Sequence, residues 1–344
     1  MSDEPELQPI LRSLVAGEVL SDDQAEAAFE AVMTGKAGEA QIASLLTALA
    51  VRPGGPSTSE IVGAARAMRR HARKVPVPPD IQVIDTCGTG GDASGTFNVS
   101  TTAALIAAGA GAHVAKHGNR SVTSRSGSSQ VLEQLGVTLA ADEATLVRCL
   151  VEAGLCFCFA PSHHPAMKYA VPVRQQLGFR TIFNVLGPLT NPAGARRQVV
   201  GVWSAELTEP IARVIGELGA EHAMVVHGDG LDEMTTTGPT QVSVVGRGDV
   251  VETLTIDPAD LGLERASLDQ LRVGSVEESA AVVRQVLAGE PGPARDIAAL
   301  NAAAALVVAD RAADLQYGLS QAFESIDSGA AAAALQKLVE LTGQ

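Results

Sequence analysis

Apolar and polar positions follow two regimes along this chain. Residues 1 to about 75 read as helix, with Ser21 followed by Gln24 and Ser57 followed by Glu60 marking two helix starts as capping boxes. Pro53-Gly54-Gly55-Pro56 separates helices, and Arg69, Arg70, Arg73 and Lys74 fall where the last should end, as its dipole favours. Pro76, Pro78 and Pro79 form a stiff linker. Beyond it, short apolar runs predict strands at Ile81–Ile84, Val114–Ala115, Phe157–Phe159, Gln198–Trp203, Ala223–Val226 and Val242–Val245. Helical stretches lie between most of them, at Asn98–Ala110, Gln130–Leu135 and Glu206–Leu218. Ser275 followed by Glu278 caps a later helix, and the C-terminal part is Ala-rich and helical. Strands alternating with helices imply an α/β fold with a mostly parallel central sheet flanked by helices, preceded by a small all-helical part.

Composition narrows the function classes. With 344 residues and 46% hydrophobic content, the chain can bury a sizeable core. A net charge of −14 disfavours nucleic acid and anionic membranes as partners. The start, MSDEPELQPI, does not read as a signal peptide, and the apolar run Ile297–Ala309 is shorter than the about 20 residues a bilayer needs. Cys87, Cys149, Cys156 and Cys158 form no CxxC pair; they are expected to be inert thiols, with Cys156 and Cys158 on one strand face. A cytoplasmic protein is expected.

The chemistry concentrates between Asp85 and Gly136. Gly88, Gly90 and Gly91 make a loop of little bulk after a strand, and Asn98, Ser100 and Thr101 then open an apolar helix. A glycine loop feeding a helix N-terminus suits a phosphate. Gly88, Gly90 and Ala93 loosely fit the dinucleotide fingerprint, but that needs an acidic residue about 20 positions on, and none occurs from Ala93 to Leu132. The same acid-free stretch holds a second loop of donors: Lys116, His117, Asn119, Arg120, Ser121, Thr123, Ser124, Ser126 and Ser128, with Gly118 and Gly127 allowing close approach. Two such units predict a polyanionic ligand across neighbouring strand ends. Asp229, Asp232 and Glu233 form an acidic loop of hard oxygens, a solvated turn by itself but a Mg²⁺ site beside a polyanion. Arg174 lies in a helical piece and can pair a carboxylate through two parallel hydrogen bonds, while His163 and His164 are a structural or catalytic pair.

Taken in order, DTCGTGGD, KHGNR, the HPAM…PVR stretch with RTIFN and LGPL, and the GLDE loop resemble the anthranilate phosphoribosyltransferases of tryptophan biosynthesis over nearly the whole chain. The resemblance implies a small helical domain, 1–75 joined by a segment around 165–190, an α/β domain over 80–344, and a homodimer formed through the small domains. It implies that phosphoribosyl pyrophosphate contacts Gly88, Gly91, Asp92, Thr96, Asn98, Val99, Ser100, Thr101, Lys116, His117, Gly118, Asn119, Arg120, Ser121, Val122, Thr123, Ser124 and Ser128. Mg²⁺ is implied at Ser100, Asp232 and Glu233, and anthranilate at Gly88, Asn119 and Arg174, with Lys116, Asn119 and Arg174 serving catalysis. Where the family often has SGSAD, this chain has Ser126-Gly127-Ser128-Ser129-Gln130 and lacks that acidic side chain. Related architectures leave two alternatives: a pyrimidine nucleoside phosphorylase, or a relative that binds ligand without turnover. Catalysis by such a site rests on positioning and electrostatics, with Mg²⁺, Lys116 and loop N–H groups facing the leaving pyrophosphate and cleft closure excluding water.

Overall fold

The computed structural model describes residues 7–120, 127–246 and 251–343. Four helices come first: α1 (Leu7–Val15), α2 (Asp22–Met33), α3 (Glu39–Ala50) and α4 (Thr58–Arg70). Ser21 and Ser57 form the expected capping boxes with Gln24 and Glu60. Glu60 does more than cap. Its buried carboxylate pairs with Arg52 and accepts from Leu20 N at 3.0 Å and Ser57 N at 2.8 Å, fastening the α3–α4 turn to the approach to α2.

The sheet begins with β1 (Val83–Asp85), α5 (Val99–Gly109), β2 (His113–Gly118), α6 (Ser128–Gln134), α7 (Glu143–Ala153) and β3 (Leu155–Phe159). The chain leaves it through α8 (Ala160–His163), a 3-10 turn, α9 (Val171–Leu177) and α10 (Phe183–Leu186). It returns with β4 (Arg197–Gly201), α11 (Thr208–Glu217), β5 (His222–Gly228), β6 (Thr240–Val245) and β7 (Val251–Ile256). Helices α12 (Val276–Leu287), α13 (Pro293–Val308), α14 (Leu315–Asp327) and α15 (Ala330–Thr342) complete it. The strand order is β3-β2-β1-β4-β5-β6-β7; the first five are parallel, and β6 and β7 are antiparallel. The expected mostly parallel sheet is present. Strand β7 is an addition: it lies at the edge with no position fully buried, so no core-facing alternation announces it.

The run Ile297–Val308 is buried throughout, an interior helix packed on α5 and α14. At β4 and β5 successive side chains serve opposite faces. Val199, Met224 and Val226 join the cluster of α5 and α13, whereas Val200, Ala223 and Val225 join α11 and the helices before the linker. The second cluster runs from Leu7 to Val245, so the hydrophobic core does not divide where the proline linker does. Strands β1 and β4 are neighbours whose connections leave to opposite sides, which opens a crevice at their carboxyl ends.

Candidate active site

The glycine loop and the acidic loop meet at that crevice. The glycine loop leaves β1 and meets the end of β4, where Thr89 N donates to the Gly201 carbonyl at 2.8 Å. It also meets the acidic loop after β5: Gly90 N donates to Asp232 Oδ2 at 2.7 Å. Gly88 must lack a side chain, since a Cβ there would stand 2.7 Å from Asp232 Oδ2. Gly201 is more constrained, because a Cβ would stand 1.5 Å from the Asp232 carbonyl oxygen.

Three carboxyls gather here with few cations. Burial lifts the Asp232 carboxyl to about 7, and the neighbouring Asp92, hydrogen-bonded to it, pushes the same way. Glu233 is raised well above the usual carboxylate range, first by burial, then by Asp232, with Lys116 opposing. Glu233 Oε1 accepts from Ser100 N at 3.2 Å, which brings Ser100 to the same point. Hard oxygens from Ser100, Asp232 and Glu233, costly to charge together, are a donor set that fits a divalent cation such as Mg²⁺. A cavity of about 10 Å³, lined by Thr86, Ser100, Gly201, Glu233 and Asn301 among others, lies at this point. Asp229 is a turn residue instead: at φ 49° its carboxylate accepts from Thr237 Oγ1.

Lys116 lies beneath the loops and is 2% exposed. Its Nζ is bonded to the Thr86 carbonyl at 2.9 Å, Ser100 Oγ at 3.1 Å and Thr86 Oγ1 at 3.4 Å, which occupies all three donors of an ammonium. In this arrangement it orients Ser100 and does not reach into the crevice. His117 is also buried: its backbone N–H donates to Asp85 Oδ1 at 3.1 Å and its ring Nδ1 bonds the Gly187 carbonyl. Burial, with His164 beside it, depresses its pKa to about 3. Asp85 is closed off by Asn191 Nδ2 at 2.7 Å, with burial lifting its carboxyl to about 6 against the pull of Lys116. Cys87 also approaches Asp85 and His117, but burial raises its thiol and keeps it protonated, so this trio reads as packing. His163 ties the linker through Arg73 O, and the His164 ring lies tilted beside that of His117, with centres 5.1 Å apart. Both are structural here.

The other predicted residues divide. Asn98 caps α5 by accepting from Thr101 N, and Thr96 forms a bridge with Arg272. Val99 and Thr101 are buried, and the Thr101 amide is taken by Asn98. Ser128 Oγ donates to the Asn119 carbonyl, and Gly118 fits tightly against Ser128 and Phe157. Asn119 and Arg120 are exposed, with Arg120 paired to Glu133 at 3.0 Å. Ser121, Val122, Thr123 and Ser124 lie outside the described residues. Arg174, on α9, is half-buried with its guanidinium 5.2 Å from the Phe183 ring centre; among the described residues it has no acidic partner. Burial lowers its pKa. Six residues on, the exposed Arg180 donates to the Gly91 carbonyl and covers Trp203 at 4.9 Å.

Sequence reasoning passed over three residues. Gly201 lay inside the expected strand Gln198–Trp203 and carried no signal of its own. Asn301 interrupts the apolar run Ile297–Ala309; its Oδ1 accepts from Met234 N at 3.0 Å and its Nδ2 donates to Met234 O at 2.8 Å, pinning the acidic loop. Arg180 lay unremarked in the RTIFN stretch. A roomier cavity of about 220 Å³, lined by Arg69, Lys74, Asn191 and Arg196 among others, lies near the amino-terminal end of β4 and shares none of the predicted ligand residues.

Comparison with known proteins supplies the lineage. The glycosyl transferase family α/β domain matches residues 80–332 and that family's helical bundle domain matches 8–72. An anthranilate phosphoribosyltransferase from Rubrobacter xylanophilus is 53% identical over 338 residues, covering 98% of this chain and 97% of that protein. This chain belongs to the anthranilate phosphoribosyltransferase family. A family structure from Thermus thermophilus superposes with a TM-score of 0.90 at 42% identity, covering 97% of this chain and 99% of that one. The Saccharomyces cerevisiae anthranilate phosphoribosyltransferase in complex with PRPP and Mg gives a TM-score of 0.88 at 29% identity, covering 98% of each chain. The helical bundle match and the α/β match lie in one chain here. No helix among the described residues is long and apolar enough to cross a membrane.

Proposed function

We infer that this chain transfers the 5-phosphoribosyl group of phosphoribosyl pyrophosphate to the amine of anthranilate, releasing pyrophosphate, a step of tryptophan biosynthesis. It is a Mg²⁺-dependent transferase. The observation that carries the reading is the meeting of the glycine loop with the acidic loop, Gly90 N on Asp232 Oδ2, in a chain 53% identical to a named family member. That meeting sets amide donors for phosphate beside carboxylates for its counter-cation.

Mg²⁺ would be held by Ser100, Asp232 and Glu233, with Asp92 beside them, and when bound it supplies charge neutralisation to the pyrophosphate. Lys116 holds Ser100 in place for this role. Gly88, Gly91, Thr96, Asn98, Asn119 and Ser128 would form the donor's bed. Arg174, half-buried and without an acidic partner among the described residues, is suited to pair the anthranilate carboxylate bidentately. Asn119 would help orient the amine, which is uncharged near neutral pH and attacks without prior deprotonation. A homodimer through the helical part fits the exposed apolar side chains Val15, Val19 and Val51 there, and four free cysteines fit a cytoplasmic location.

The test is loss of anthranilate fluorescence on mixing the protein with phosphoribosyl pyrophosphate and Mg²⁺. Loss that requires all three components is expected. No loss from folded protein and intact donor would refute the assignment.

A further inference from the structure

The glycine loop needs an anchor, because Gly90 and Gly91 sit at φ 66° and 83° with no side chain to fix them. Thr89 N on the Gly201 carbonyl ties the loop to β4, and two side chains from outside the loop hold Gly90 and Gly91: Asp232 on the Gly90 amide and Arg180 on the Gly91 carbonyl. They differ in sign. Asp232 repels an incoming phosphate and occupies an amide that the phosphate could use. Arg180 attracts a phosphate and takes only a carbonyl, which the phosphate cannot use. Lys116 cannot take this part, since its three donors are engaged on Thr86 and Ser100.

We propose that Arg180 is the positioning residue of the glycine loop: stacked on Trp203 and bonded to Gly91, it sets the loop amides for the phosphates of phosphoribosyl pyrophosphate. Its partners among the described residues are that carbonyl and that ring. The planar guanidinium lies over the indole and extends from its edge to the loop, a geometry that a lysine does not reproduce. Because Arg180 follows α9, it also ties the glycine loop to the segment that carries Arg174. The proposal rests on the transferase reading above.

Trp203 is the sole tryptophan, so its emission reports on this contact. Steady-state kinetics would be measured for wild type, Arg180→Ala, Arg180→Lys and Trp203→Leu, with melting temperatures as a check on folding. Arg180→Ala is expected to raise KM for phosphoribosyl pyrophosphate about tenfold or more, the scale of a lost charged hydrogen bond. KM for anthranilate should stay within about twofold, because the loss falls on one substrate. Arg180→Lys should remain close to Arg180→Ala, and Trp203→Leu should raise the same KM. Adding phosphoribosyl pyrophosphate with Mg²⁺ should change Trp203 emission in wild type and not in Arg180→Ala. An unchanged KM in Arg180→Ala, an equal rise for both substrates, or full rescue by lysine overturns the proposal. A wild type that turns nothing over sinks the transferase reading itself, whereas active wild type matched by Arg180→Ala sinks only this inference.

Discussion

Asn301 is the one polar side chain in the buried run Ile297–Val308, and both ends of its amide are used on Met234. Replacing it with Ala orphans a buried N–H and a buried carbonyl, each costing about 1–3 kcal/mol. Asn301→Ala is expected to melt several degrees lower and to need more Mg²⁺ for half-maximal rate, because Met234 adjoins Glu233; thermal unfolding and a Mg²⁺ titration check both. Replacing Asp232 and Glu233 together with Ala should abolish turnover or sharply raise the Mg²⁺ requirement; unchanged Mg²⁺ dependence would remove them from the site. The buried histidines make a separate prediction. Burial holds His117 near 3 and His164 near 4, against 6.5 for a solvated imidazole. Below about 6.5 the unfolded chain therefore binds protons that these imidazoles refuse in the fold, and their contribution to stability falls as pH drops toward 4. Asp85 opposes this: its carboxyl, lifted to about 6, keeps a proton in the fold where the unfolded chain has lost it, so its contribution falls as pH rises from about 4 to 6. Asp232 and Glu233, also raised by burial, act in the same direction as Asp85, so the histidine contribution is read from a variant and not from the net pH profile. His164→Gln should make the slope of melting temperature against pH less positive between pH 4 and 6.5, and an unaltered slope would show that His164 does not contribute to it.

At the scale of elements, function depends on how strand ends meet. Strand β4 ends at Gly201 under the Asp232 carbonyl, and a methyl there would overlap it at 1.5 Å. Gly201→Ala is expected to displace the acidic loop and to abolish most turnover while the sheet still forms, as circular dichroism beside activity would show; near-normal activity would mean that the loop can move without harm. Helix α9 places Arg174 by its own residues: Pro172 suits the first turn, and Gly178 closes it at φ 67°. Arg174→Ala should raise KM for anthranilate far more than that for phosphoribosyl pyrophosphate, and an equal effect on both would indicate structural damage. The glycine loop, the capping boxes at Ser21 and Ser57 and the helix carrying Arg174 were readable because their signals are local. The contact of Gly201 with Asp232 joins residues 31 positions apart, and no local pattern encodes it.

Across the whole molecule, the helices before the linker share one buried cluster with α11 and one face of β4 and β5. Movement about the Pro76–Pro79 linker must therefore work against a continuous core, and Arg73 and Val75 are further tied to His163 and Pro192. If the proposed homodimer forms through the helical part, replacing Val15 and Val51 with Asp should yield monomers by light scattering. The sequence by itself determined the helix starts, the alternating α/β order, the acid-free donor-rich stretch and the acidic loop, because each is written in residues close together in the chain. Only the tertiary structure decided that Lys116 braces Ser100, that Asn301 pins the acidic loop and that Arg180 reaches Gly91. Those contacts depend on which strands neighbour in the sheet and on how helices pack across it, and burial then sets which carboxyls and imidazoles carry charge.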